Sequence, residues 1–161
     1  MTRIAVYPGT YDPITRGHED LILRGLRFAD HVIVAVAVQG GKPPLFSAEE
    51  RAALATLAMG NEPRIEVRVF DGLLVDFVRQ VGGTMLVRGL RYVSDFEYEY
   101  QMALTNRKLA PEIETLFLAP AFDHVYLSSS LVREVARFGG DVSALVHSEV
   151  AQALRAKFPK P

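Results

Sequence analysis

The 161-residue chain contains no cysteine. That removes disulfides, thiolate metal sites and cysteine nucleophiles together, and with them the usual zinc frameworks. It also lacks a long apolar run: the longest, residues 32–38, falls far short of the roughly 20 residues a membrane helix needs. An excess of one charge is missing as well. With 18 basic and 19 acidic residues the net charge is -1, so no global field draws the chain to nucleic acid or an anionic membrane, and a bound anion must meet a local cluster. The short apolar stretch after Arg3, ending at Tyr7, Pro8 and Gly9, is too brief for a signal peptide, and a cytoplasmic location is expected. Two familiar phosphate motifs are absent too. Pro43 follows Gly41 and Lys42 where a P-loop needs Ser or Thr, and no G-x-G-x-x-G follows a strand-like run.

What is present is an ordinary globular composition, 49% apolar and 23% charged, in a chain whose length suits one domain, residues 1–161, burying roughly 70% of its unfolded surface. Short β-branched runs at residues 4–7, 31–38, 65–70, 84–87 and 115–118 read as five strands, each followed by a helical pattern. The helical stripes are Ile22, Leu26 and Ala29; Leu54, Leu57 and Ala58 behind a Ser47/Glu50 capping box; Leu74, Phe77, Val78 and Val81; and Phe96, Tyr100, Ala103 and Leu104. Two more follow the last strand, on Leu131, Val135 and Phe138 and on Val150, Leu154 and Phe158. Strict alternation implies right-handed crossovers, hence a doubly wound, Rossmann-like α/β domain with a five-stranded parallel sheet, helices on both faces and C-terminal helices. Ligands of such folds bind outside the carboxyl ends of the strands, at the switch point.

The chemistry should therefore lie at the strand ends. The first strand runs into a long turn in which Gly9 and Gly17 allow close backbone approach, and Gly17 and His18 open a helix, whose N-terminus favours phosphate. There His18 would stay neutral and donate a hydrogen bond; alone, it could equally pack or cap the first turn. Lys42 follows the second strand and, alone, reads as a solvated loop charge. Arg88 and Arg91 flank Gly89 and Leu90 after the fourth, a disposition suited to bidentate phosphate contacts unless both are plain surface charges. After the fifth strand, Ser128, Ser129 and Ser130 offer hydroxyls and helix-terminal amides, or an N-cap fitting Ser129 or Ser130. Asp95, Glu99, Met102 and Asn106 share a second face of the fourth helix, which either lines the cleft or is solvated.

Thr15, Arg16, Gly17 and His18 resemble the (H/T)-x-G-H signature of nucleotidyltransferases, and Ser128 to Ser130 resemble their second phosphate motif. With residues 7–10, Asp12-Pro13, 88–91, 95–99, 128–132 and 134–136 the chain resembles the bacterial phosphopantetheine adenylyltransferases from first strand to last helix. That resemblance implies transfer of AMP from ATP to 4'-phosphopantetheine, yielding dephospho-coenzyme A and pyrophosphate, with Mg2+ carried on ATP, in a homohexamer. It implies that Thr10, Lys42, Leu74 and Arg88 contact the acceptor, Thr10 and Lys42 steering its phosphate. Gly9, Thr10, His18, Gly89, Leu90, Arg91, Glu99, His124, Val125, Tyr126, Leu127, Ser128, Ser129 and Ser130 would hold ATP. His18, Lys42 and Arg88 would carry catalysis, His18 as transition-state stabiliser, with no covalent intermediate and no metal ligand from the protein. Tyr11 stands where that family commonly has Phe, and Leu127 where it commonly has Ile. The competing readings are a related nucleotidyltransferase with another phosphate acceptor or with CTP as donor, and an ATP-binding module without turnover.

Overall fold

A computed structural model describes residues 2–38 and 43–159. The strands are β1 (Ile4–Gly9), β2 (His31–Ala37), β3 (Ile65–Phe70), β4 (Met85–Gly89) and β5 (Glu114–Leu118); the helices are α1 (Arg16–Gly25), α2 (Ala48–Met59), α3 (Leu74–Gln80), α4 (Val93–Leu109), α5 (Ser129–Arg137) and α6 (Ser148–Lys157). All five strands pair in parallel in the order β3-β2-β1-β4-β5. The switch point thus lies between β1 and β4. The fourth strand runs two residues beyond the expected 84–87, because Arg88 and Gly89 pair with Phe117 and Leu118 of β5. Arg88 is therefore fixed on a strand end rather than in the loop after it.

Period-two alternation in β2 sends Val32, Val34 and Val36 to one face and Ile33 and Ala35 to the other. The first face carries the larger core, closed by Leu21 and Ile22 of α1, Leu54 and Ala55 of α2, Val132 of α5, and Val150 and Leu154 of α6. On the second face Val75, Phe77 and Val78 of α3 meet Val6, Leu86 and Ile113. Ser47 and Glu50 form the expected reciprocal cap at the start of α2.

Three expected stripes are corrected. On α2 the buried positions are Ala48, Arg51, Leu54 and Ala55, whereas Leu57 is exposed; the inward face is rotated toward Arg51, whose guanidinium reaches carbonyls at the ends of β1 and β2. On α5 Val132 is the buried residue and Phe138, at the helix end, is 80% exposed. On α4 only Asn106 is buried, and Phe96, Tyr100 and Leu104 are each about half exposed, so among the described residues the second face is only partly covered there. Among the described residues no helix is long and apolar enough to cross a membrane.

Candidate active site

A cleft of about 370 Å³ opens at the switch point, lined by Tyr7, Pro8 and Gly9 from β1, Gly17, His18 and Leu21 from α1, Arg88 and Gly89 from β4, Asp95, Tyr98 and Glu99 from α4, and Ser128 and Ser129 at α5. Two helix N-termini, of α1 and α5, meet there. Thr15 caps α1: its Oγ1 accepts from the His18 backbone N–H at 3.4 Å, and its carbonyl accepts from Glu19. The Arg16 N–H is spent on the Leu145 carbonyl at 2.9 Å. That leaves the Gly17 N–H as the first-turn donor for a ligand. At α5 the cap is Ser128, whose Oγ accepts from Leu131 N at 3.1 Å, not Ser129 or Ser130, since three adjacent serines satisfy the same capping propensity and the helix start selects the first.

The state of His18 follows from its hydrogen bonds. The Thr15 backbone N–H donates to Nδ1 at 3.0 Å, so the ring proton sits on Nε2. Burial, and after it the Arg91 guanidinium, lowers the ring's pKa from 6.5 to about 4. An imidazole that is neutral at physiological pH thus presents an N–H to the cleft, as the helix-start position suggested, with desolvation as the main cause. Tyr11 leans on the ring edge-to-face at 5.0 Å, and its hydroxyl donates to the Tyr7 carbonyl at 2.7 Å, which accounts for the extra oxygen at this position. Tyr11 also explains Gly9: a Cβ there would meet the Tyr11 ring at 3.0 Å.

The proton balance of His18 has a consequence for stability. In the unfolded chain the ring takes up a proton near pH 6.5, in the fold only near pH 4, so the unfolded state binds more protons between those values and stability falls as pH drops through that window. Comparing urea unfolding at pH 7 and about pH 4.5, the loss should be smaller in His18→Asn than in the parent by on the order of 2–3 kcal/mol.

Cations surround the cleft, but each is restrained. Arg88 turns its bidentate edge to Glu99, with Nε at 2.8 Å and NH2 at 2.6 Å, while NH1 donates to the Pro8 carbonyl at 3.0 Å. Burial pulls this guanidinium down, and the Glu99 hydrogen bonds more than offset it, leaving its pKa raised. The double contact expected for a phosphate is thus made here by a carboxylate, and Arg88 offers only its remaining N–H groups. Arg91 donates to the Leu127 carbonyl at 3.0 Å and lies 3.5 Å from Asp95. Tyr7 is pushed up to about 12 by burial, against the pull of Arg88.

Of the expected site residues, Gly9, His18, Arg88, Gly89, Arg91, Glu99, His124, Leu127, Ser128 and Ser129 come together around this cleft. Thr10, Leu74, Leu90, Val125, Tyr126 and Ser130 lie outside its lining, and Lys42 lies outside the described residues. Among them, Leu90 gives its N–H to the Leu118 carbonyl, and the Ser130 hydroxyl accepts from Arg133. Leu21, Ser94, Tyr98 and Pro120 also line the cleft, and of these only Tyr98 belongs to a segment that carries the family resemblance. A polar frame behind the cleft also went unread. Asp12 is 4% exposed, accepts from the Leu45 and Phe46 N–H groups at 2.8 and 2.9 Å, and pairs with Arg133 of α5 at 3.5 Å. Ser129 Oγ donates to the Pro13 carbonyl at 2.7 Å, tying α5 to the same turn.

Gly17 allows a separation of fold from ligand. A Cβ there would find only ordinary contacts, 3.5 Å from the His124 carbonyl, so the fold has room for a methyl, whereas a ligand held closely on the Gly17 N–H would have to make way for it. Gly17→Ala should match or exceed the parent's stability by about 0.5–1 kcal/mol. It should nevertheless weaken ATP binding, read by calorimetry, roughly tenfold, about the worth of one charge-assisted hydrogen bond.

A parallel sheet whose switch-point cleft combines two helix N-termini, a neutral imidazole and guanidinium groups defines a protein that handles nucleotide phosphates. Comparison with known proteins agrees. Residues 6–135 match the family described as cytidylyltransferase-like. The chain is 55% identical over 158 residues to a phosphopantetheine adenylyltransferase of Methylococcus capsulatus, covering 98% of each chain, and 52% identical over 153 residues to that of Thiobacillus denitrificans, covering 95% of this chain and 96% of the other. The structure resembles that of a bifunctional NMN adenylyltransferase/ADP ribose pyrophosphatase from Francisella tularensis with a TM-score of 0.69 at 15% identity, over 97% of this chain and 50% of the other, a likeness of fold. The chain belongs to the cytidylyltransferase-like family, and within it to the phosphopantetheine adenylyltransferases.

Proposed function

We propose that this chain transfers AMP from ATP to 4'-phosphopantetheine, giving dephospho-coenzyme A and pyrophosphate; its relatives bear the name phosphopantetheine adenylyltransferase. The observation that carries the reading is the cleft where α1 and α5 point their N-termini past the Nε2–H of a neutral His18. An acceptor phosphate is already a nucleophile, so the protein's task is alignment and charge relief. An acceptor oxygen bonds to the α-phosphorus as the bond to the bridging oxygen breaks, and the electron pair leaves with pyrophosphate. His18 donates to the α-phosphoryl oxygens, the Gly17 amide and the α5 terminus hold the departing phosphates, and Thr10, Lys42, Leu74 and Arg88 take the acceptor. The remaining ATP contacts fall to Gly89, Leu90, Arg91 and the segment from His124 to Ser130. Glu99 supports this arrangement through Arg88.

Mg2+ enters in this reading with the ATP phosphates, whose oxygens are ligands of the kind that ion prefers. The half-exposed stripe of Phe96, Tyr100 and Leu104 on α4 supports association of several copies, a homohexamer by family resemblance, working as one domain in the cytoplasm. Supplying ATP, Mg2+ and a panel of phosphate acceptors and following pyrophosphate tests the reading. Release with 4'-phosphopantetheine supports it, release only with another acceptor moves it within the family, and none removes it. In the same assay Lys42→Ala should raise the acceptor concentration needed for half-maximal rate; an unchanged acceptor dependence would count against its role.

A further inference from the structure

Arg51 is an arginine buried to 1% exposure in the first turns of α2, and among the described residues no carboxylate pairs with it. Its donors go instead to main-chain carbonyls: Nε to Phe46 at 3.1 Å, NH1 to Thr10 at 2.6 Å and to Ala37 at 2.8 Å, and NH2 to Val38 at 3.2 Å. These four carbonyls end three different segments, β1, β2 and the approach to α2. A desolvated guanidinium is costly and persists where a planar fork of several donors is required. Here that fork sets the carboxyl ends of β1 and β2 against each other.

Thr10, whose carbonyl makes the shortest of these contacts, lies one residue beyond the cleft wall at Gly9. Asp12 grips the same frame from the other side through the Leu45 and Phe46 amides. None of these Arg51 hydrogen bonds reaches a residue in the first turn of α1 or α5. We propose that Arg51 is a positioning residue for the acceptor side of the reaction, holding Thr10 and the ends of β1 and β2 in register without touching either substrate. The proposal rests on the functional reading above for what the acceptor is.

Arg51→Lys tests it, because lysine keeps the charge but cannot reproduce the fork. The KM for 4'-phosphopantetheine should rise about tenfold or more, while ATP affinity by calorimetry stays within about twofold, a split that a general loss of structure would not produce. Amide exchange at residues 10–12 and 45–46 should rise about tenfold, with exchange in the α1 and α5 first turns unchanged. Equal losses toward both substrates, or unaltered exchange at residues 10–12, overturn the proposal. Should Arg51→Lys fail to fold, the Arg51 Nε–H signal of the parent protein decides: it should respond to added 4'-phosphopantetheine and not to a non-hydrolysable ATP analogue, and an indifferent signal overturns the proposal. If the parent turns over a different acceptor, the functional reading fails while the same measurements with that acceptor still judge Arg51; if it turns over none, the exchange pattern alone does.

Discussion

Replacing His18 with alanine should lower kcat about 10²–10³-fold, the usual loss when one preorganised donor to a developing charge is removed. The expectation follows from three features of the ring. Its Nδ1 is saturated by the Thr15 N–H at 3.0 Å, its pKa of about 4 keeps it neutral, and Tyr11 braces it at 5.0 Å. The proton on Nε2 is therefore fixed in place before substrate arrives and is present across the neutral range. Because negative charge on the α-phosphoryl oxygens grows toward the transition state, the donor acts more on turnover than on ATP affinity, which the Gly17 amide and the α5 terminus still supply. Initial rates at saturating substrates, beside calorimetric ATP affinities, separate the effects. A variant with near-normal kcat, or with affinity and kcat reduced alike, would remove His18 from the chemistry. His18→Gln tests the same point from the other side: it retains an N–H donor and should recover part of the loss.

Much of this arrangement could be read from the sequence because the signals are local. β-branched runs punctuated by Gly and Pro specify strands, and the five expected were found, with the Ser47/Glu50 cap where its spacing put it. The cleft too was legible, since parallel strands with intervening helices put ligands at their carboxyl ends, where His18, Arg88, Arg91, Ser128 and Ser129 lie. What escaped were facts about partners. A stripe such as Phe96, Tyr100 and Leu104 shows that an apolar face exists, not that the same chain covers it, and here the described residues leave it about half exposed. Arg51 looks like any solvated helix arginine because its partners, Thr10 and Ala37, are 41 and 14 residues away. The exchange of a phosphate contact for Glu99 on Arg88 depends on how α4 leans over β4, which periodicity does not encode.

Asp12 is the other position where a single change should have a large effect, this time on the fold. Its two oxygens satisfy the Leu45 and Phe46 amides 33 and 34 residues away and pair with Arg133. Asp12→Ala strands two N–H groups, at Phe46 in a buried setting, and an unmet buried donor costs about 1–3 kcal/mol. The Arg133 guanidinium, a third exposed, can turn to water. The loss should thus come mainly from the amides, about 2–4 kcal/mol in urea unfolding, seen as a lower midpoint with an unchanged slope. Asp12→Asn keeps one acceptor oxygen in nearly the same volume and should lose about half as much. The two variants separate the hydrogen bonds from the charge: if both lose equally, the ion pair with Arg133 dominates, and if neither moves the midpoint, the Asp12 frame does not hold the approach to α2. Asp12 joins that approach, the Thr10 turn and, through Arg133, helix α5 at the cleft. Loosening it should therefore blunt both substrate sites together, unlike Arg51→Lys, whose effect should fall on the acceptor alone.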